Sequence, residues 1–247
     1  MHYAWNFDFI RHSLGYILEG LVNTIGLALC SLAIGAVVGM VIALMRLGKL
    51  AVLRWLALAF VEFFRNTPPV VQLLWLYYAL PILTGVQVGA FTASLVAFSL
   101  YTAAYASEIY RSGIESVPRG QWEAASSIGM LRGQQLRLII LPQMARQMVP
   151  AFTNQLIDTV KLTSIASLLP YMELVYHVKI LADQNYRPLE AYTMLALFFA
   201  LVLIPLLVAA RFMERRLSTA AQRRARPKTT AARIGGLAFG RIEKRAD

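Results

Sequence analysis

Four polar side chains interrupt stretches of sequence that are otherwise apolar: Glu108, Asn154, Asp158 and Lys161. A charge that faces lipid is costly, so such residues usually face the interior of a helix bundle or a wet cavity. Asp158 and Lys161 are three residues apart, on one face of a helix, and Asn154 lies one turn earlier. They either pair locally and pin helices together, or line a path for a solute that carries an ammonium and a carboxylate group. Glu108 lies one turn before Arg111, where a gate or a loop brace fits the spacing as well as a ligand.

The sequence contains no residue pattern that points to catalysis or metal binding. The histidines, His2, His12 and His177, do not have metal-ligand spacing, and Cys30 is the single cysteine. The pair Gly48-Lys49 lacks the rest of a phosphate-binding loop. We therefore predict no catalytic residue, no metal, no cofactor and no ATP binding in the P-loop manner.

Long apolar blocks run through the 247 residues, of which 58% are hydrophobic. About 20 apolar residues cross the hydrocarbon core of a bilayer as a helix. The pattern predicts an all-α, polytopic membrane protein with about five spans, near residues 16–45, 67–83, 88–109, 149–169 and 191–212. Residues 55–64 are predicted to be an amphipathic lead-in to the second span. Ser31, Gly35 and Gly39 in the first span would let two helices approach closely.

The 24 lysine and arginine residues are divided unevenly between the two sides of the predicted membrane domain. Twenty lie in the loops after the first and third spans or at the C-terminus, three lie on the other side, and Lys161 lies within a span. Cytoplasmic loops carry such an excess of cations, so we expect the N-terminus outside, the C-terminus inside, and no nucleic-acid partner. Residues 1–215 are predicted to form the membrane domain, and 216–247 a basic, disordered cytoplasmic tail attracted to anionic headgroups.

The loop between the third and fourth spans, residues 116–142, has the pattern of a short helix-turn-helix. Ser116 is predicted to cap the first helix, Pro118 to lie in its first turn, and Gly129 to end it as a left-handed residue. A second helix is predicted over 133–141, before Pro142. The small residues 124–127 would let the first helix enter a groove of a partner, with Arg119 and Glu123 pairing with partner charges. An amphipathic helix resting on the membrane surface fits the composition equally well.

Several segments resemble the polar amino-acid permeases of ABC importers, which have the type I fold. Glu123-Ala124-Ala125, Gly129 four residues later and Leu141-Pro142 look like the EAA motif of that family. Other matching segments are Gly20–Thr24, Val61–Pro69 with the Glu-Phe-Arg-x-Thr-Pro pattern, Ala104-Tyr105 with Glu108-Ile109 and Arg111, and Lys161–Ser164. Two positions depart from the pattern, Leu162 where many relatives are polar and Asn66 where many have glycine.

The resemblance implies that the EAA loop is a coupling helix that docks on an ATPase, with Arg119, Glu123, Ala124, Ala125 and Gly129 at the contact. It also implies a second permease subunit, a cytoplasmic ATPase dimer, an external substrate-binding protein and a polar amino acid as substrate, in the inner membrane. The chain would then be a permease and not an enzyme. The alternative is an ion-coupled secondary transporter with Glu108 or Asp158 as a proton carrier, although such folds usually contain more spans and internal repeats. A membrane-anchored signalling protein is disfavoured by the polar residues within the spans and by the structured loop.

Overall fold

A computed structural model describes the backbone of residues 3–225 and the side chains of residues 3–214. Within that range every regular element is helical. The helices are α1 (Asp8–His12), α2 (Leu14–Leu47), α3 (Ala51–Asn66), α4 (Pro69–Leu74), α5 (Leu80–Thr84), α6 (Ala90–Glu115), α7 (Arg119–Ser127), α8 (Arg132–Gln135), α9 (Leu141–Leu162), α10 (Leu174–Asn185) and α11 (Pro188–Ala225). A π-helical turn, Trp75–Ala79, joins α4 to α5, and another, Leu136–Ile140, joins α8 to α9.

The predicted all-α membrane fold is confirmed, although the predicted spans differ in length and hydropathy. The helices α2, α6 and α11 are long and apolar enough to cross a bilayer, and the continuous α4–α5 segment, Pro69–Thr84, is apolar but shorter. The amphipathic lead-in forms a helix of its own, α3. The fourth span was predicted over 149–169, but α9 begins earlier, at Leu141, and ends at Leu162, where a 3₁₀ turn, Thr163–Leu168, replaces it.

The pair α2 and α6 forms the most extensive helix contact of the described bundle, and glycines of α2 make it possible. A Cβ atom at Gly35 would lie 2.7 Å from Thr102 Cβ. At Gly39 it would lie 2.7 Å from both the Ala103 carbonyl oxygen and Ala106 Cβ. The small residues predicted to bring two helices together therefore do so, and the partner helix is the one that carries Glu108.

The segment Gly20–Thr24 of α2 holds the connection between α9 and α10. Asn23 Nδ2 donates to the Met172 carbonyl (2.8 Å), and Thr24 Oγ1 accepts from the Leu174 backbone N–H (3.0 Å). A Cβ at Gly20 would lie 2.7 Å from His177 Nδ1, so only glycine leaves room for that ring. One of the segments that carried the family resemblance thus has a structural role, which is to seat the start of α10 against α2.

Glu173 caps α10 with its side chain although it is completely buried. Its carboxylate accepts hydrogen bonds from the backbone N–H groups of Val175 (2.9 Å) and Tyr176 (2.7 Å). Burial raises the pKa of the Glu173 carboxyl to about 7, against the opposing effect of these donors. Glu173 immediately precedes α10 in the sequence and lies outside the apolar spans.

Helix α11 continues to Ala225, past the predicted boundary at residue 215. The remainder of the predicted tail, 226–247, lies outside the described residues.

Candidate functional site

Helix α7, the first helix of the 116–142 loop, begins and ends at residues that the sequence singled out, with one change. Pro118 is its N-cap residue. Ser116 does not cap it, because its hydroxyl donates instead to the Gly113 carbonyl (2.6 Å). Gly129 has φ +75°, and its N–H bonds to the Ser126 carbonyl (3.0 Å), while the Met130 N–H bonds to the Ala125 carbonyl (3.2 Å). These two bonds form a Schellman motif, which fixes where α7 stops.

The two faces of α7 differ, and the small residues are divided between them. Ala125 is 2% exposed and faces its own chain, so it does not present its side chain to a partner groove as expected. Trp122 packs beside Val117, Ile140 and Met144. The opposite face is open and carries Arg119, Glu123, Ala124 and Ser127. Arg119 and Glu123 form no ion pair with any residue that the structure describes.

The turn after α7 adds two exposed aliphatic side chains that the sequence reasoning did not select. Ile128 is 76% exposed and Leu131 is 71% exposed, on either side of Gly129. Exposed large apolar residues beside a charged helix face are typical of protein contacts. Their position at the edges of a glycine-ended helix was the available signal in the sequence.

The second predicted helix of the loop, 133–141, is wrong in its extent. The α-helical part of this region, α8, covers only Arg132–Gln135 and passes through the π-helical turn directly into α9. Pro142 does not end a helix; it lies directly after the π-helical turn, where the i→i−4 ladder is already interrupted. The buried side chain of Gln135 donates to Ser126 Oγ (3.2 Å) and to the Met130 carbonyl (2.9 Å). It clips α8 to the end of α7, so the loop and α9 are continuous.

Glu108 lies among three guanidinium groups near the same end of the bundle. It pairs with Arg46, with Arg111 (2.8 Å) and, more loosely, with Arg65 (3.9 Å). These arginines come from α2, α3 and α6, so the carboxylate connects three helices. This arrangement favours the brace over a free ligand, because the strongest partners of Glu108 are protein cations.

The polar residues of α9 are on open surface of the single chain. Asp158 Oδ1 and Lys161 Nζ are 3.2 Å apart, and their side chains are 63% and 57% exposed. The pair lies within one helix, so it does not pin two helices together. Asn154 Nδ2 donates to Glu214 Oε1 of α11 (3.1 Å). Gln155, in contrast, is buried, and its Nε2 has no partner among the described residues.

Two tyrosines and an arginine connect the regions of Asp158 and Glu108. The rings of Tyr101 and Tyr105 are 4.7 Å apart, and the Arg65 guanidinium lies 5.2 Å from the centre of the Tyr105 ring. Asp158 and Arg65 are both within electrostatic range of Tyr101. Arg65 and Tyr105 were quoted in the sequence only as parts of motifs. They show that the polar residues of α3, α6 and α9 border one region.

Comparison with known proteins agrees with this architecture. Residues 35–219 match the family model described as "Binding-protein-dependent transport system inner membrane component". The chain is 40% identical over 197 residues to "Probable amino-acid ABC transporter permease protein YckA" of Bacillus subtilis, covering 80% of this chain and 87% of that protein. It is 32% identical to "Probable glutamine ABC transporter permease protein GlnM" of the same organism, covering 86% and 98% of the two chains.

A solved structure, "Crystal structure of an amino acid ABC transporter with histidines", superposes with a TM-score of 0.81 at 30% identity, covering 87% of this chain and all of the other. A methionine ABC transporter, MetNI, in an inward-facing conformation, shares the fold at 20% identity with a TM-score of 0.68. The ion-coupled secondary transporter is therefore not favoured. Together with the helical bundle and its glycine-ended loop helix, these matches establish that the chain belongs to the family of binding-protein-dependent transport system inner membrane components, the multi-pass permease subunits of ABC importers.

Proposed function

We propose that this permease translocates a polar amino acid, with energy supplied by a separate ATPase that docks on the open face of α7. The observation that carries the proposal is the unbroken connection from α7 to the polar helix. Gln135 clips α8 to α7, and α8 continues into α9, which carries Asp158 and Lys161 towards its far end. A displacement of α7 by an ATPase would therefore move the helix that carries the candidate substrate residues.

The open face of α7 has the composition of a docking surface. The side chains of Arg119 and Glu123 are exposed and can pair with charges of a partner. Ile128 and Leu131 supply exposed apolar surface beside them. The partly buried Trp122 and the cap at Gly129 hold the helix in a single orientation. A rigid helix costs little conformational entropy on docking, which favours a tight contact. We assign this end of the bundle, with its excess of cations, to the cytoplasm.

The exposed polar face of α9 supports a second permease subunit. A helix with Asp158 and Lys161 more than half exposed does not suit contact with lipid. A second copy of this chain, or a related permease, would enclose this face and leave a wet path between the two subunits. An external substrate-binding protein would deliver the substrate to the opposite end.

The function is tested by reconstituting the permease with its ATPase and binding protein in proteoliposomes and measuring uptake of labelled amino acids. We expect uptake of a polar amino acid that requires ATP and the binding protein. Uptake driven by an ion gradient without ATP would contradict the proposal and support the secondary transporter. Uptake confined to apolar amino acids would contradict the assignment of the substrate class.

The role of Asp158 is tested separately, because the structure allows its charge to be removed with little effect on folding. The pair lies within one helix and would face a wet path, so water can solvate Lys161 when its partner is removed. We therefore expect Asp158→Asn to fold normally and to lose uptake, and the double variant Asp158→Asn with Lys161→Met to remain inactive. Near-normal uptake in a well-folded double variant would remove Asp158 from the path and leave the local ion pair as its role.

A further inference from the structure

The first residues of the described chain are tied to the start of α11 by a buried carboxylate. Glu190 is completely buried, and Oε2 accepts from the Tyr3 hydroxyl (2.6 Å). Its Oε1 accepts from the Asn6 backbone N–H (3.2 Å) and from Arg187 Nη1 (2.8 Å). The same Arg187 nitrogen donates to the Ala4 carbonyl (3.1 Å). A terminal segment usually frays unless it is held in this way.

The short helix α1 fixes the other end of this segment. Ile10 is 3% exposed and belongs to an apolar cluster with Ile17 of α2, Val178 and Leu181 of α10, and Ala191 of α11. Residues 3–7 are therefore held at both ends, by Glu190 on one side and by Ile10 on the other. The conformation of residues 3–7 is fixed by contacts with α10 and α11.

This held segment carries a cluster of exposed aromatic rings. Tyr3, Trp5 and Phe7 are 51%, 53% and 40% exposed. The Trp5 ring stacks on Phe7 with centroids 5.6 Å apart and meets Tyr3 edge-on at 5.6 Å. Tyr186, next to Arg187, is 90% exposed. We call these four residues the aromatic strap.

The exposed Tyr186 has an unusual backbone conformation. Among the described residues it is the only non-glycine with a positive φ, 54°, at the end of α10. Glycine or asparagine normally occupies such a position, and a bulky residue there is strained. The strain brings no packing within the chain, because the ring is almost fully exposed. The Arg187 backbone N–H bond to the Ala182 carbonyl (3.2 Å) ends α10 in this conformation and leaves the Tyr186 ring facing outward.

The position of the strap in the bundle points to lipid as the occupant. It lies where α2 and α11 begin, which is one boundary of the apolar region. In the most apolar stretch of α11 only 6% of the residues are buried, compared with 56% in α6. The strap is therefore attached to the most peripheral span. Tryptophan and tyrosine concentrate at the headgroup level of bilayers, where an apolar ring and a polar tip are both satisfied.

We propose that the aromatic strap lies in the phospholipid headgroup region at this end of the bundle, and that Glu190 holds it there to fix the depth of α2 and α11 in the bilayer. This goes beyond transport and does not depend on the substrate or on the ATPase. A docking site for the binding protein and a contact with a second permease are the competing occupants.

The test is fluorescence quenching of Trp5 in the complete permease, reconstituted in phosphatidylcholine nanodiscs. The signal of Trp5 is the emission that is lost in Trp5→Phe. Bromine atoms placed on the lipid near the headgroup should quench this signal more than bromine atoms near the end of the acyl chains, and aqueous iodide should quench it weakly. Strong quenching by iodide without lipid quenching would overturn the proposal in favour of a water-exposed docking surface. Insensitivity to all quenchers would overturn it in favour of a covering protein, and stronger quenching by deep bromines would place the strap among the acyl chains.

The role of Glu190 is tested with matched variants. Glu190→Gln should reduce the quenching of Trp5 by shallow bromines and increase its quenching by iodide. Glu19→Gln removes an exposed carboxylate of α2 that makes no ion pair in the described chain, and it should leave both signals unchanged. Tyr3→Phe removes a single hydrogen bond and should shift the signals in the same direction as Glu190→Gln, which keeps the test valid if Glu190→Gln fails to fold. Unchanged signals in both Tyr3→Phe and Glu190→Gln would show that the buried carboxylate does not position the strap.

Discussion

At the scale of single residues, the close approach of α2 to α6 depends on Gly39. A valine there would place Cβ 2.7 Å from the Ala103 carbonyl oxygen and 3.0 Å from the Ser107 nitrogen, and backbone atoms cannot move aside cheaply. We expect Gly39→Val to lower the free energy of unfolding by about 1–3 kcal/mol, the usual cost of overpacking. Thermal unfolding in detergent measures it.

The matched control is Gly26→Val, which makes the same change in the same helix. A Cβ at Gly26 meets no atom within 4 Å, so this variant should unfold close to the wild-type temperature. If both variants lost the same stability, the loss would not come from the contact between α2 and α6, because valine is the better helix former of the two residues.

At the scale of elements, the start of α10 should make the stability depend on pH through Glu173. Its pKa is about 7 in the folded chain, against 4.5 for an unperturbed carboxyl, so the folded state holds a proton more tightly. The corresponding stability is fully present below pH 4.5 and is lost as the pH rises to about 7, with a limiting slope of about 1.4 kcal/mol per pH unit. We expect Glu173→Gln to gain stability relative to wild type over this window.

Denaturation at a series of pH values checks this difference. Asp183→Asn removes an exposed carboxylate from the same helix and should keep the wild-type slope. If Glu173→Gln showed the same pH dependence as wild type, Glu173 would be ionised throughout the window and its burial would not control the cap.

The elements also show what the sequence could predict. The apolar helices α2, α6 and α11 were predicted correctly because a long run of apolar residues with few charges indicates a transmembrane helix. Helix α9 was placed too late because Pro142 resembles a helix breaker, whereas the helix continues through it directly after the π-helical turn. Gly129 was identified because a left-handed cap requires glycine. The Glu108 cluster, the Gln135 clip and the burial of Ala125 depend on contacts between distant segments, which local sequence patterns do not encode.

At the scale of the whole molecule, the proposed orientation predicts which residues each aqueous compartment can reach. Ala124 is exposed on α7 and Asp183 is exposed on α10, at opposite ends of the bundle, whereas Ala125 is buried and unsuited to labelling. In a Cys30→Ser background, we expect Ala124→Cys to react with an impermeant thiol reagent only from the cytoplasmic side. Asp183→Cys should react only from the outside. The reverse pattern would invert the topology and would contradict the location of the ATPase contact.

The most direct test of coupling through α7 is to measure ATP hydrolysis and amino-acid uptake in the same proteoliposomes for wild type, Gly129→Val and Gly133→Val. Gly129 has φ +75°, which a β-branched side chain tolerates badly, at a cost of about 1–2 kcal/mol. Gly133 has no positive φ, and a Cβ there meets open space. We predict that Gly129→Val inserts normally but loses both uptake and substrate-stimulated hydrolysis, while Gly133→Val retains them. Normal uptake with full stimulation of the ATPase in Gly129→Val would contradict the role of this loop in coupling.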